Sequence, residues 1–212
     1  MRSLLASLAV LAITSLALGE ALPVNNGSFE SPAQDPGGWT NDLPANGWTQ
    51  LPENGSAFIE YIDGFVADGN QHLGMAEGAE VFQDLGVGLL PNSTYTLTVS
   101  AGNRNPNFTP AEGQESTFAL YLGDGATNGG TLLASGLFDA SALAESSFSD
   151  DLSVSYSSGD SVDGGNLFIS LASTGAGRAH FDNVRVDVVP EPTAGVLAML
   201  GGLVMLQVRR RR

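Results

Sequence analysis

The chain has 212 residues, 23 acidic against 8 basic side chains, a formal net charge of −15 and no cysteine. An acidic surface repels phosphate, so the composition argues against binding to nucleic acid or to anionic lipid headgroups. The absence of cysteine excludes disulfides, thiol catalysis and cysteine-ligated metal centres.

Residues 1–19 carry Arg2, an apolar run from Leu4 to Leu18, and small residues at Ala17 and Gly19. This order predicts a secretory signal peptide cleaved near Gly19 or Ala21. The run is interrupted by Ser and Thr and falls short of the roughly 20 apolar residues of a membrane span. Residues 20–189 form the next unit, long enough for one domain with a sizeable core. Three arginines (Arg104, Arg178, Arg185) stand there against 22 acids, a charge of −19 that favours solubility.

Within 20–189 no amphipathic helical period is evident. Short alternating segments rich in Val, Thr, Tyr and Phe recur between Gly, Asn, Pro and Asp clusters, which predicts an all-β sandwich or barrel. The clearest strand is Ser93 to Ala101, with Tyr95, Leu97 and Val99 on one face and threonines on the other. Further strands are predicted at Ala57–Ile62, Glu80–Asp84, Ser116–Leu122, Phe148–Tyr156, Leu167–Ala172 and His180–Val188. Turns are expected at Asp63-Gly64, Asp68-Gly69, Asp124-Gly125, Asn128-Gly129-Gly130 and Asp163-Gly164-Gly165. Gly102 to Gly113 reads as one long loop, and Asp139 to Glu145 as a single helical turn.

At the C-terminus Pro190-Glu191-Pro192 precedes an uncharged stretch, Thr193 to Val208, and four arginines, Arg209 to Arg212. This tail resembles the PEP-CTERM sorting signal of Gram-negative bacteria. The resemblance implies recognition of Pro190, Glu191 and Pro192 by an exosortase-type enzyme, a transmembrane helix before processing, and delivery to the cell envelope, cell surface or extracellular matrix. The arginines would remain cytoplasmic. Residues 190–212 are therefore expected to be a separate sorting segment.

Four passages, NNGSFE (25–30), NGW (46–48), DGNQHLGM (68–75) and HFDNVRVD (180–187), give the domain a resemblance to the galactose-binding-like jelly roll of carbohydrate-binding modules. The resemblance implies a jelly-roll β-sandwich of two antiparallel sheets. It also implies a structural calcium ion near the first and last strands, with Glu30 and Asp182 as carboxylate ligands and backbone carbonyls completing the shell.

Catalysis needs a nucleophile, an acid/base pair or a metal. His72 and His180 are the only imidazoles, and each reads as a satisfied, half-buried histidine rather than a ligand. No hydrolase, metalloprotease or phosphate-loop motif occurs. Glu60, Asp63 and Glu77 are carboxylates open to a glycosidase pairing, but nearby acids are frequent by chance in so acidic a chain. The expectation is a non-catalytic protein. For sugar binding, an aromatic face with neighbouring polar groups is required. Trp39, Tyr61, Arg104, Asn105 and Phe108 are the candidates, with Trp39 in the loop PGGWT the best exposed and Trp48 assigned to the core. The reading is a surface-sorted glycan-binding or exopolysaccharide-matrix component with polysaccharide as partner. A purely structural matrix protein and a carbohydrate-active enzyme are the alternatives.

Overall fold

A computed structural model describes residues 19–43, 47–51, 56–104, 114–123 and 130–191. The predicted signal peptide up to residue 18 and the part of the expected sorting segment beyond Glu191 lie outside them. Among the described residues no helix is long and apolar enough to cross a membrane.

Thirteen strands and one 3₁₀ turn (Ala140–Ala142) make up the described fold: β1 (Glu20–Leu22), β2 (Trp39–Thr40), β3 (Thr49–Gln50), β4 (Ala57–Glu60), β5 (His72–Met75), β6 (Glu80–Asp84), β7 (Ser93–Asn103), β8 (Glu115–Leu122), β9 (Thr131–Asp139), β10 (Ser147–Phe148), β11 (Leu152–Ser157), β12 (Leu167–Ser173) and β13 (Ala179–Pro190). They form two antiparallel sheets. The larger runs β10-β7-β13-β5-β4-β2, with β1 also on β13 and β11 also on β7; the smaller runs β3-β6-β12-β8-β9. This is the jelly-roll sandwich the sequence predicts.

Alternation across the pleat fills the space between the sheets. Ile59, Leu73, Met75, Leu97, Val99 and Phe181 from the larger sheet meet Val81, Leu120, Ile169 and Leu171 from the smaller, all fully buried. Trp48 is also fully buried, its ring 5.4 Å from that of Phe29 and its Nε1 donating to Asn26 O at 3.3 Å. Tyr95 buries its ring while its hydroxyl accepts from Leu90 N at 2.5 Å.

The clearest predicted strand extends two residues further than expected, to Asn103, because its end is covered on both faces. The predicted strand Phe148–Tyr156 is split into β10 and β11, both on β7. β9 was not expected: its Leu132 and Leu137 are exposed while Leu133 and Phe138 pack on the core, an edge pattern that shows no clean alternation in sequence.

In β13 the register shifts between Asp182 and Arg185, and Asn183 takes a φ of 52°. The bulge keeps Phe181, Val184, Val186 and Val188 all in the core, which an unbroken pleat would not allow. Replacing the central aromatic, Trp48→Ala, is expected to lower the unfolding free energy by about 3–5 kcal/mol, measured by urea denaturation.

Candidate functional site

The pairing of β4, β5 and β13 decides which side chains meet on the outer face of the larger sheet. Glu60 stands directly across from His72, Phe58 across from Gly74, and His180 across from Gly74 on the other side. Because side chains alternate, Phe58, Glu60, His72 and His180 share the face turned away from the main core. There His72 and His180 are fully buried and Glu60 nearly so, at 6% exposure.

A second small core covers them. Phe65 packs edge-on to both imidazoles, with ring centroids 4.8 Å from His72 and 5.4 Å from His180, and Phe148 lies 4.7 Å from Phe65. Gly74 and Gly102 make the space. A Cβ at Gly74 would stand 2.9 Å from Glu60 Oε1, and one at Gly102 would stand 2.8 Å from both the Phe65 and the Phe148 rings.

The loop carrying Phe65 is held at two points. Glu30 Oε1 accepts from Asn70 N and Gln71 N, both at 2.7 Å, and Asp182 Oδ2 accepts from Ala67 N at 2.7 Å and Asp68 N at 2.8 Å. The two carboxylates expected to ligate calcium thus grip the same loop through backbone N–H groups. Asp182 is fully buried, and that burial pushes its carboxyl up to about 7 against the opposing pull of its backbone donors.

Glu60 is the hub. His72 Nε2 lies 3.1 Å from its Oε1, His180 Nδ1 lies 3.6 Å from the same oxygen, and Arg104 Nη1 is 3.1 Å from Oε1 and from Oε2. Burial drives His180 well below the usual histidine value, with His72, Arg104 and Arg178 acting the same way, so it is neutral at neutral pH. Burial also lowers Arg104, opposed by Glu60.

Next to this hub opens a cavity of about 430 Å³ lined by Trp39, Asn41, Ser56, Ala57, Phe58, Glu60, Arg104 and Arg178. Trp39, 66% exposed, stands edge-on to Phe58 at 6.4 Å, and the Arg178 guanidinium sits 5.3 Å from the Phe58 centroid. Two of the three arginines in 20–189 therefore converge on one pocket.

Of the predicted ligand residues, Trp39 and Arg104 line the cavity. Tyr61 is half-buried at the end of β4, and its backbone pairs with Gly37 and Gly38. Asn105 and Phe108 lie outside the described residues, as does Pro192. Pro190 closes β13 and the Glu191 N–H donates to Asn92 O at 2.7 Å. The expectation of satisfied, half-buried histidines needs correction: both are fully buried, and His72 Nδ1 and both nitrogens of His180 lack a hydrogen-bond partner. Phe58 and Arg178 were missed because their place in the pocket depends on strand register.

A family model, HpiC1-like (HpiC1 cyclase), matches residues 20–187. The chain belongs to the HpiC1-like family. That membership overturns the expectation of a non-catalytic protein: the absence of familiar catalytic motifs did not exclude an enzyme family built on this sandwich. The resemblance to carbohydrate-binding modules holds at the level of the fold. A crystal structure of a cyclase from Fischerella sp. TAU is 24% identical, with a TM-score of 0.67 over 83% of this chain and all of that one. The CBM22-1-CBM22-2 tandem domain of Paenibacillus barcinonensis Xyn10C is 12% identical, with a TM-score of 0.51 over 85% of this chain and 50% of that one. At these identities the likeness concerns architecture. No curated protein matches the sequence.

Asp182 yields a pH prediction. Its folded value, about 7, lies above the ordinary 3.8, so the folded state binds the proton more tightly than the unfolded chain does. Its contribution to stability is present below about pH 4 and is lost as pH rises to about 7. Thermal unfolding in chelator should show the melting temperature falling less over that interval in Asp182→Asn than in the unaltered protein.

Proposed function

We propose that the protein is an exported cyclase-type enzyme that closes a ring in a small, largely apolar substrate held between Trp39 and Glu60. The observation that carries this reading is the cavity, which combines an aromatic wall with a nearly buried charge pair. Its 430 Å³ falls within the roughly 300–1,000 Å³ of small-molecule sites. Membership of the HpiC1-like family supports an enzymatic reading.

Ring closure joins two parts of one molecule, so the first requirement is a container that folds the substrate with its reacting ends together. Trp39 and Phe58 supply flat apolar walls for that folding. The second requirement is fixed charge where charge develops during bond formation. The Glu60 carboxylate and the faces of the aromatic rings stabilise developing positive charge; Arg104 and Arg178 stabilise negative charge. The Arg104 contact to both carboxylate oxygens keeps Glu60 in place, so little reorganisation is needed as charge appears.

A second reading takes a carbohydrate as the ligand of the same pocket. The exposed Trp39 ring beside Asn41 offers an apolar face with a polar neighbour, as a pyranose requires. For its place in the cell, the reading rests on sequence: the signal peptide and the tail beginning at Pro190 support export and exosortase-type sorting to the surface of a Gram-negative bacterium.

The test incubates purified protein with open-chain polyenes and unsaturated aromatics and follows products by chromatography, mass spectrometry and NMR. The expected product has unchanged mass and fewer double bonds. Glu60→Gln should lower turnover about 10²–10³-fold, and Trp39→Ala should raise KM. Failure to convert any of the panel, combined with Trp39-dependent retention on immobilised oligosaccharides, would overturn the apolar-substrate reading in favour of the carbohydrate.

A further inference from the structure

Glu60, His72 and His180 offer one ligand atom each, and these atoms all lie within 4.8 Å of one another in the buried core beneath Phe65. From this juxtaposition we infer that the three side chains form a site for a divalent transition-metal ion of the zinc class. The inference goes beyond the cyclase reading and does not depend on it.

Three observations carry it. The first is distance. Ligands about 2.1 Å from a tetrahedral ion stand about 3.4 Å from one another. His72 Nε2 and His180 Nδ1 are 3.1 Å and 3.6 Å from Glu60 Oε1, on either side of that spacing. All three ligand atoms lie within 4.8 Å of one another, so the two imidazoles draw together around Glu60 Oε1 to close on an ion.

The second is hydrogen bonding. Buried polar atoms in folded proteins nearly always have a partner. Here His72 Nδ1, His180 Nδ1 and His180 Nε2 have none, and both residues are at 0% exposure. The rings around them belong to Phe65 and Phe148, which offer no conventional acceptor. A metal ion held by His72 Nε2 and His180 Nδ1 gives His180 Nδ1 the polar partner that the aromatic walls cannot.

The third is donor chemistry. Two imidazoles and one carboxylate suit zinc and its neighbours in the first transition row, whereas calcium and magnesium require mainly oxygen. The site is thus chemically distinct from the calcium expected at Glu30 and Asp182. Glu60 can serve the ion through Oε1 while Oε2 stays with Arg104, 3.1 Å away, which holds the carboxylate in orientation. Three protein ligands leave a coordination position open, as in catalytic rather than closed structural zinc sites. Glu60 also lines the cavity.

The experiment exploits the composition: the chain contains two histidines, and both belong to the cluster. The full chain is freed of metal with chelator, labelled with ¹⁵N, and titrated with zinc while the imidazole nitrogen resonances are followed by NMR. The site predicts that both histidines shift together and saturate at one equivalent of zinc per chain. Cobalt at the same stoichiometry should produce the visible absorption of a four- or five-coordinate ion. His72→Ala and His180→Ala should each abolish this saturable phase, while Asp151→Asn, on the exposed surface, should leave it intact. Unchanged imidazole resonances in the unaltered protein would overturn the inference even if the alanine variants fail to fold. Saturable binding that survives in folded alanine variants would overturn it as well.

Discussion

The antiparallel register of β4, β5 and β13 is the constraint on which the site depends. Glu60 opposite His72, with Gly74 opposite both Phe58 and His180, brings three strands' polar side chains onto one face. A slip of one residue would turn Glu60 and His72 into the main core and Ile59 and Leu73 out of it. The inter-sheet core therefore fixes the site from behind: Ile59, Leu73 and Phe181 are fully buried on the opposite face of the same three strands. Packing energy on one side of the sheet holds charged and titratable groups together on the other.

That outer face is closed by parts that act through backbone as much as side chain. Gly74 and Gly102 leave room for rings and a carboxylate that a β-carbon would displace. Glu30 and Asp182 take the N–H groups of the loop bearing Phe65, so acids at opposite ends of the domain sequence hold one lid over the histidines. The cluster is buried on the Phe65 side, while Glu60, Phe58 and Arg104 meet the cavity. An overall acidic protein thereby gathers two of the three arginines of residues 20–189 beside Glu60 in one pocket.

Much of the sandwich was legible because its signals are local. The β7 threonine alternation, the β6 boundaries and the burial of Trp48 follow from side-chain period and turn residues. Trp39 was recognisable as exposed because it follows Pro and two glycines, although it begins the short strand β2 rather than lying in a loop. The edge strand β9 was not legible, since half-exposed leucines carry no clear period. The site was legible only in fragments. Glu60, His72 and His180 are separated by 12 and 108 positions, and nothing in their neighbourhoods states that three strands pair in this order. Treating each histidine singly favoured a satisfied residue; the unpartnered nitrogens appear only when both rings and Phe65 are placed. Reliance on catalytic motifs also failed, because a pocket that works by shape and fixed charge leaves no short motif to find.

The cavity bounded by Trp39, Phe58, Glu60, Arg104 and Arg178 is where the proposed chemistry takes place. A crystallographic screen with small aromatic and unsaturated fragments tests it most directly. Fragments are expected to collect in this cavity, with their rings against Trp39 or Phe58 and their polar atoms toward Glu60 or an arginine. Fragments that repeatedly occupy another part of the domain while this cavity stays empty would contradict it.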